Sequence, residues 1–307
     1  MRVAAVDIGT NSTRLLIADI GSDGELEQLV RRSEVTRLGD RVDADGHLSK
    51  EAIERTCAVL AHYRELIDEY ECESNMAVLT SAVRDASNGS GFQEKIRERY
   101  GLNARVLTGD EEAQLTFLGA MSGRQPSTEP IVVIDIGGGS TEFVVGHNHT
   151  AGFHVSLQAG VVRMSERHIH TDPPAARELQ QLAVDTRTIF LEGLPPQERA
   201  PVMSGIAVAG TATAAAAIDQ ELEPYDPARV HGYRLMLATV ELLLARLADM
   251  TEARRRQVAG LHPDRAPTIV AGMILLSEAM RAFELDYVEV SERDILHGSA
   301  LRLAGIE

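Results

Sequence analysis

At 307 residues the chain is long for one hydrophobic core, so two domains are expected. Apolar residues at 44% and charged residues at 25% are ordinary for a soluble globular protein, and neither a bilayer-length apolar run nor a secretory leader is present, so no membrane partner and a cytoplasmic setting are expected. A net charge of −16 argues against a broad nucleic-acid surface, but not against a polyanionic substrate held by metal ions, backbone amides and a few arginines.

Taken in chain order, Arg2–Ile8 and Thr13–Ile20 read as strands joined by a Gly-Thr-Asn-Ser turn, and the segment to about Arg37 supplies a third. Leu38–Gly46 reads as a polar loop. Ser49 caps a helix running to about Tyr70, with apolar positions Ile53, Ala58, Leu60, Leu66 and Ile67 and an early Glu51. The lone cysteines Cys57 and Cys72 show neither metal spacing nor a disulfide framework, so reduced thiols are expected. A strand at Met76–Thr80 leads into "SAVRDA". A helix over Gly91–Tyr100, a strand over Ala104–Thr108 and a helix over Asp110–Met121 follow. Polar Gly123–Glu129 marks the division into domains 1–123 and 124–307.

The second half restarts the plan. Strands are expected at Ile131–Ile136, Glu142–Gly146 and near Phe153–Leu157, and helices from about Arg163 to His168 and from Pro173 to Leu191. Val202–Ala209 is a strand ending in Gly210, and Thr211–Ile218 opens a helix. Leu235–Asp249 and Ala266–Phe283 are helices, Tyr287–Val290 a strand and Asp294–Leu303 a closing helix.

The two halves share Asp-Ile-Gly-x-x-Ser-Thr, starting at Asp7 and at Asp135, each time in the first hairpin. Small turn residues let several backbone amides converge on an anion, phosphate above all. A strand-terminal carboxylate beside such a nest is repulsive unless a divalent cation lies between, and Mg2+ is the hard-oxygen choice. Asp7 with Gly9, Thr10, Asn11 and Ser12, and Asp135 with Gly137, Gly138, Gly139 and Ser140, each read as a metal-and-phosphate corner, with Glu142 in reach of the second. One such turn is equally well explained by hairpin geometry. Two matching copies favour function, and two related domains facing each other would bring both turns to one cleft.

Other motifs are weaker by spacing alone. "TSAVRDA" places Arg84 after a strand, where it could clamp an anion, although an ordinary helix start is the favoured reading. Glu111 and Glu112 open a helix, either to offset its dipole or to supply a general base, and spacing does not separate the two. His147-x-His149 and His168-x-His170 lack a nearby third ligand and read as surface or capping residues.

Together these stretches resemble the exopolyphosphatase / guanosine pentaphosphate phosphohydrolase (Ppx/GppA) family, of the actin-like, sugar-kinase and Hsp70 ATPase superfamily. The resemblance is carried by "DIGTNSTRLLIAD", "TRLGDRVDADGHLS", "TSAVRDA", "GDEEAQLTFLGA", "DIGGGSTEF", "GVVRMSE", "AVAGTATAAAA" and "DRAPTIVAG", in the family's order. It implies an α/β fold of two actin-like, ribonuclease H-like domains flanking a cleft. It implies Glu112 as the base that activates water, and Asp135 and Glu142 as acids around metal and catalytic water. Thr10, Asn11, Ser12 and Gly137 to Ser140 are implied as the phosphate cradle, Arg84 as a phosphate contact, and Gly210 and Thr211 as a ligand-facing loop. Two departures stand out. Many members continue into a helical HD-type domain beyond the point matching Glu307. "SERDILHG" also stands where the family tends towards Ser-x-x-Gly-Leu-Arg-Glu-Gly, so Leu296 replaces the arginine and His297 the acid.

The implied function is Mg2+-dependent release of orthophosphate from inorganic polyphosphate, by a homodimer. Alternatives are 5′-phosphate removal from guanosine pentaphosphate, an ATP-dependent kinase or ATPase on the same fold, and a catalytically silent polyphosphate or alarmone sensor.

Overall fold

The computed structural model describes residues 1–125, 127–147 and 150–306. His149 of the His147-x-His149 pair lies outside the described residues. In chain order the first elements are β1 (Arg2–Ile8), β2 (Thr13–Ile20), β3 (Leu26–Glu34), α1 (Val42–Asp45), α2 (Lys50–Glu69), β4 (Ser74–Leu79), α3 (Ser81–Asp85), α4 (Gly89–Tyr100), β5 (Ala104–Val106) and α5 (Gly109–Met121). Then come β6 (Ile131–Ile136), β7 (Thr141–His147), β8 (Thr150–Leu157), α6 (Val161–His168), α7 (Ala176–Gly193), α8 (Pro196–Arg199), β9 (Ser204–Val208), α9 (Ala209–Asp219) and α10 (Pro227–Val230). The chain ends with β10 (Arg234–Met236), α11 (Leu237–Ala248), α12 (Glu252–Arg255), α13 (Ile269–Ala282), β11 (Tyr287–Val290) and α14 (Ile295–Leu303). No described helix is long and apolar enough to cross a membrane.

Two compact units form. One comprises Met1–Gln125 and Arg293–Glu307, the other Pro126–Glu292. In the first, the sheet runs β3-β2-β1-β4-β5, with β1, β2 and β3 antiparallel and β1, β4 and β5 parallel. Alternation along β1 serves two faces. Ala4, Val6 and Ile8 pack with Leu60, Tyr63 and Ile67 of α2, whose N-terminus is capped by Ser49 accepting from the Ala52 amide at 3.1 Å. Val3 and Ala5, with Leu16 and Ala18 of β2, pack with Leu296, Ala300 and Leu301 of α14.

The closing helix therefore differs from its place in the 1–123 and 124–307 division: it belongs to the first unit. The physical reason is the second face of the β1–β2 sheet. Its apolar residues, Ile20 among them, need a cover, and the apolar stripe of α14 supplies it. The crossing of α14 on α5 is close. A Cβ at Gly119 would lie 1.9 Å from the Asp294 carbonyl oxygen, and one at Gly298 only 1.8 Å from that of Leu115.

In the second unit the sheet runs β10-β11-β9-β6-β7-β8. The order β8-β7-β6-β9-β11 repeats β3-β2-β1-β4-β5, with the same antiparallel triplet and parallel remainder. Each unit thus has the actin-like, ribonuclease H-like arrangement expected. Helix α13, buried nearly all round, is the centre of this core, with the alanine-rich α9 beside it. Phe143 of β7 meets the Phe190 ring edge-on at 5.0 Å. Several short elements were not expected: α1, inside the stretch read as a loop, β10, inside the start of the helix read from Leu235, and the four-residue helices α8, α10 and α12.

Candidate active site

The first turn lies at the carboxyl end of β1, beside the carboxyl ends of the parallel strands β4 and β5, where open α/β sheets place their ligands. The Gly9 amide donates to the Ser12 carbonyl at 3.0 Å, closing the turn. The Thr10 carbonyl accepts from the Gly39 amide at 2.8 Å and the Asn11 carbonyl from Arg37 at 2.9 Å. The 37–41 segment therefore braces the turn. A Cβ at Gly39 would sit 2.2 Å from Thr10 Cγ2, so the approach requires glycine. The hydroxyls of Thr10 and Ser81 bond at 2.9 Å, tying the turn to the start of α3.

Asp7 is the cross-strand partner of Arg14. Arg14 Nε and Nη2 both donate to Asp7 Oδ2, at 2.9 and 2.6 Å, while Arg14 Nη1 donates to Asp294 Oδ2. Asp294 Oδ1 caps α14, accepting from the Leu296 amide at 3.0 Å. Asp7 Oδ1 is buried and makes no hydrogen bond. Burial raises the Asp7 pKa; Arg14 opposes this incompletely, and the charge on Asp294 adds to the rise. Burial also opposes ionisation of Asp294, but the attraction of Arg14, Arg31 and His297 and the Leu296 amide win, so its pKa is lowered. The orphaned Asp7 oxygen is a hard donor, as a divalent cation requires.

Arg84 and Glu112 meet. Arg84 Nη1 donates to Glu112 Oε2 at 3.0 Å and to the Leu107 carbonyl at 3.0 Å. The structure also separates the two acids that open α5. Glu111 completes a capping box, bonding the Thr108 amide at 2.9 Å while its own amide donates to Thr108 Oγ1 at 3.1 Å. Glu112 takes no part in the cap and is buried. Helix-end compensation therefore accounts for Glu111 and not for the burial of Glu112.

The second turn repeats the first, with the Gly137 amide donating to the Ser140 carbonyl at 3.0 Å. The Gly137 and Gly138 carbonyls accept from the first amides of α6, those of Val161 and Val162, at 2.9 Å each, and Arg163 Nε donates to the Gly139 carbonyl at 2.8 Å. Among the described residues no acceptor takes the amides of Gly138 and Gly139. The carbonyls are thus turned into the scaffold, an arrangement in which those amides can converge on an anion. The glycines allow close packing rather than left-handed backbone. Gly9 and Gly137 to Gly139 are not among the positive-φ residues, whereas a Cβ at Gly160 would lie 2.4 Å from the Gly138 carbonyl.

Asp135 and Glu142 are direct cross-strand partners, both buried, and Glu142 Oε1 accepts from Ser156 Oγ at 2.6 Å. Like charges placed directly opposite on a ladder destabilise a sheet unless a cation offsets them. Among the described residues no group of three or more His, Cys, Asp or Glu is placed to hold an ion. Carboxylate oxygens such as those of Asp135 and Glu142 are the hard donors a divalent cation such as Mg2+ takes. Gly210 and Thr211 start α9 at the end of β9, which pairs in parallel with β6 so that Val208 lies beside Asp135. The Arg265 guanidinium occupies the space a Cβ at Gly210 would need.

Arg14, Ser156 and Asp294 were not anticipated. Arg14 had a signal, since it occupies in the first copy the ladder position of Glu142 in the second. Asp294 had none, being 280 residues from its partner.

The Ppx/GppA phosphatase family model matches residues 16–306. The chain belongs to the Ppx/GppA phosphatase family. It is 39% identical to Exopolyphosphatase 2 of Mycobacterium tuberculosis, over 99% of each chain. Among solved Ppx/GppA-type structures it is similar to an exopolyphosphatase-like protein, with a TM-score of 0.92 and 32% identity over 99% of both chains. It is also similar to the Aquifex aeolicus Ppx/GppA family member, with a TM-score of 0.83 and 32% identity over 100% of this chain and 99% of that one.

Proposed function

We propose that this Ppx/GppA chain is an exopolyphosphatase, releasing orthophosphate from the end of inorganic polyphosphate. The observation that carries the mechanism is the Arg84–Glu112 pair, a buried carboxylate that the helix cap does not use, oriented by a guanidinium. The full-length likeness to Exopolyphosphatase 2 supports the substrate.

Glu112 takes a proton from water as the water oxygen bonds to the terminal phosphorus. The bridging P–O bond breaks, and the shortened chain leaves with the electron pair. Each turn, Thr10 to Ser12 in the first unit and Gly138 to Ser140 in the second, offers its amides to phosphate oxygens, and Arg84 shares its charge between Glu112 and the transferring group. Asp7 in the first unit and, separately, Asp135 and Glu142 in the second are the acids that would hold Mg2+. When bound, it supplies Lewis-acid stabilisation of charge on phosphate oxygens. We assign the chain to the cytoplasm and, on the family resemblance, to a homodimer, which light scattering on the purified chain checks.

Phosphate release from polyphosphates of several lengths, guanosine pentaphosphate and ATP, with and without Mg2+, tests the assignment. Polyphosphate with Mg2+ is expected to give the highest kcat/KM. Higher kcat/KM for either nucleotide, or equal rates without a divalent cation, would overturn it.

A further inference from the structure

We infer that Asp294 is a positioning residue for the first turn: through Arg14 it holds Asp7 by one oxygen, and it keeps that corner negative for a divalent cation. This rests on the proposed cation-assisted hydrolysis.

The two copies of the turn differ in charge. Asp135 faces Glu142, whereas Asp7 faces Arg14. Taken alone, the second ladder position carries two acids and the first is a neutral pair, a poor seat for a cation. Asp294 alters that. It accepts from Arg14 Nη1, while Nε and Nη2 close on Asp7 Oδ2. Within this triad one guanidinium is thus shared by two carboxylates, so the three side chains taken together keep one negative charge. Neither Arg14 nor Asp294 covers Asp7 Oδ1, which stays buried and without a hydrogen bond. All three side chains are largely withdrawn from water, with 13% of Arg14, 6% of Asp7 and 2% of Asp294 exposed, so their charges act on one another with little screening.

Asp294 is itself held rigidly. Its Oδ1 caps α14, its carbonyl accepts from Gly298 at 3.0 Å, and Gly119 presses against that carbonyl. Arg31 and His297 also face it, while Arg293 acts on His297 and is engaged with the Ser122 carbonyl at 2.6 Å. This gives the "SERDILHG" segment a role: its acid approaches the turn from the helix cap, with leucine at 296 and neutral histidine at 297.

Mn2+ binding, followed by the loss of its free-ion EPR signal, tests the inference on the wild type, Asp7→Asn, Asp294→Asn, Asp294→Ser and the double variant Arg14→Gln/Asp294→Asn. Asn and Ser both keep an N-cap oxygen, so melting temperatures are expected to change little. Asp294→Asn and Asp294→Ser are expected to weaken Mn2+ binding roughly 10–100-fold, as loss of an outer-shell partner does. The double variant, which removes one positive and one negative charge together, is expected to recover most of the affinity. A purely structural cap would show no such recovery. Wild-type Mn2+ affinity in both Asp294 variants, with weakened binding in Asp7→Asn, would overturn this inference and leave the cation at Asp7 standing. A failure of the double variant to recover would overturn the charge argument. Wild-type affinity in Asp7→Asn would overturn both this inference and the assignment of Asp7 as a ligand.

Discussion

Adding one methyl group at Gly298 should destabilise the first unit. The ideal Cβ would lie 1.8 Å from the Leu115 carbonyl oxygen, 2.7 Å from its carbon and 3.1 Å from its Cα. To reach even 3.0 Å, below which real Cβ contacts essentially do not occur, α14 must retreat from α5 by more than an ångström. The obstacle is backbone, so no rotamer change relieves it. The retreat would lift Leu296, Ala300 and Leu301 off Val3, Ala5, Leu16 and Ala18, and shift Asp294 against Arg14. Overpacking of this kind costs about 1–3 kcal/mol. Alanine returns up to about 1 kcal/mol of helix propensity. Because the clash is with main chain, the upper part of the overpacking range applies, and a net loss of about 2 kcal/mol is expected. Urea unfolding of Gly298→Ala, followed by hydrogen exchange in β1 and α14, measures it. Ser299→Ala on the same helix is the control. It removes a buried hydroxyl without a hydrogen-bond partner and should be neutral or stabilising. A Gly298→Ala variant as stable as wild type, or more so, would refute the backbone contact.

Two further outcomes follow from the geometry. His297 is buried, and burial lowers its pKa to about 3, against an attraction to Asp294 that would raise it. The unfolded chain therefore takes up a proton that the folded unit refuses, and stability is lost as pH falls from about 6.5 towards 3, by up to about 1.4 kcal/mol per pH unit. His297→Leu should show a shallower loss between pH 6 and pH 4.5 in chemical denaturation, and an unchanged slope would contradict a buried neutral imidazole. Gly160→Ala drives a methyl group into the Gly138 and Gly139 backbone. It should raise the KM for polyphosphate several-fold while the melting temperature of the first unit, which lacks this contact, is unaltered. Unaltered KM would detach the second turn from substrate binding.

The strands and the paired turns were legible because they are local. Near-continuous apolar runs define β1, β2 and β6 with the bounds observed, and the repeated Asp-Ile-Gly-x-x-Ser-Thr marks matching hairpins. The destination of α14 was not legible. Its apolar stripe shows that one face must be buried, but not which sheet receives it. Glu111 and Glu112 were indistinguishable by spacing, and a single side-chain bond to the Thr108 amide separates them. Arg84 read more readily as an ordinary surface arginine, since its partner Glu112 lies 28 residues away. The glycines were expected for turn geometry and nest formation. The structure adds that α6 rests its N-terminus on their carbonyls, which depends on a close approach invisible in one segment. The elements missed, α1, α8, α10, α12 and β10, are only three or four residues long, too short for any period to register.

The most direct test of the central claim is single-turnover phosphate release from medium-length polyphosphate by Glu112→Gln, measured beside its polyphosphate affinity. Gln keeps the shape of Glu112 and leaves Arg84 its bond to the Leu107 carbonyl. Loss of a positioned general base is expected to slow release by roughly 10²–10⁴-fold while Kd for polyphosphate stays within a few-fold of wild type. Near-normal release by Glu112→Gln would contradict the account.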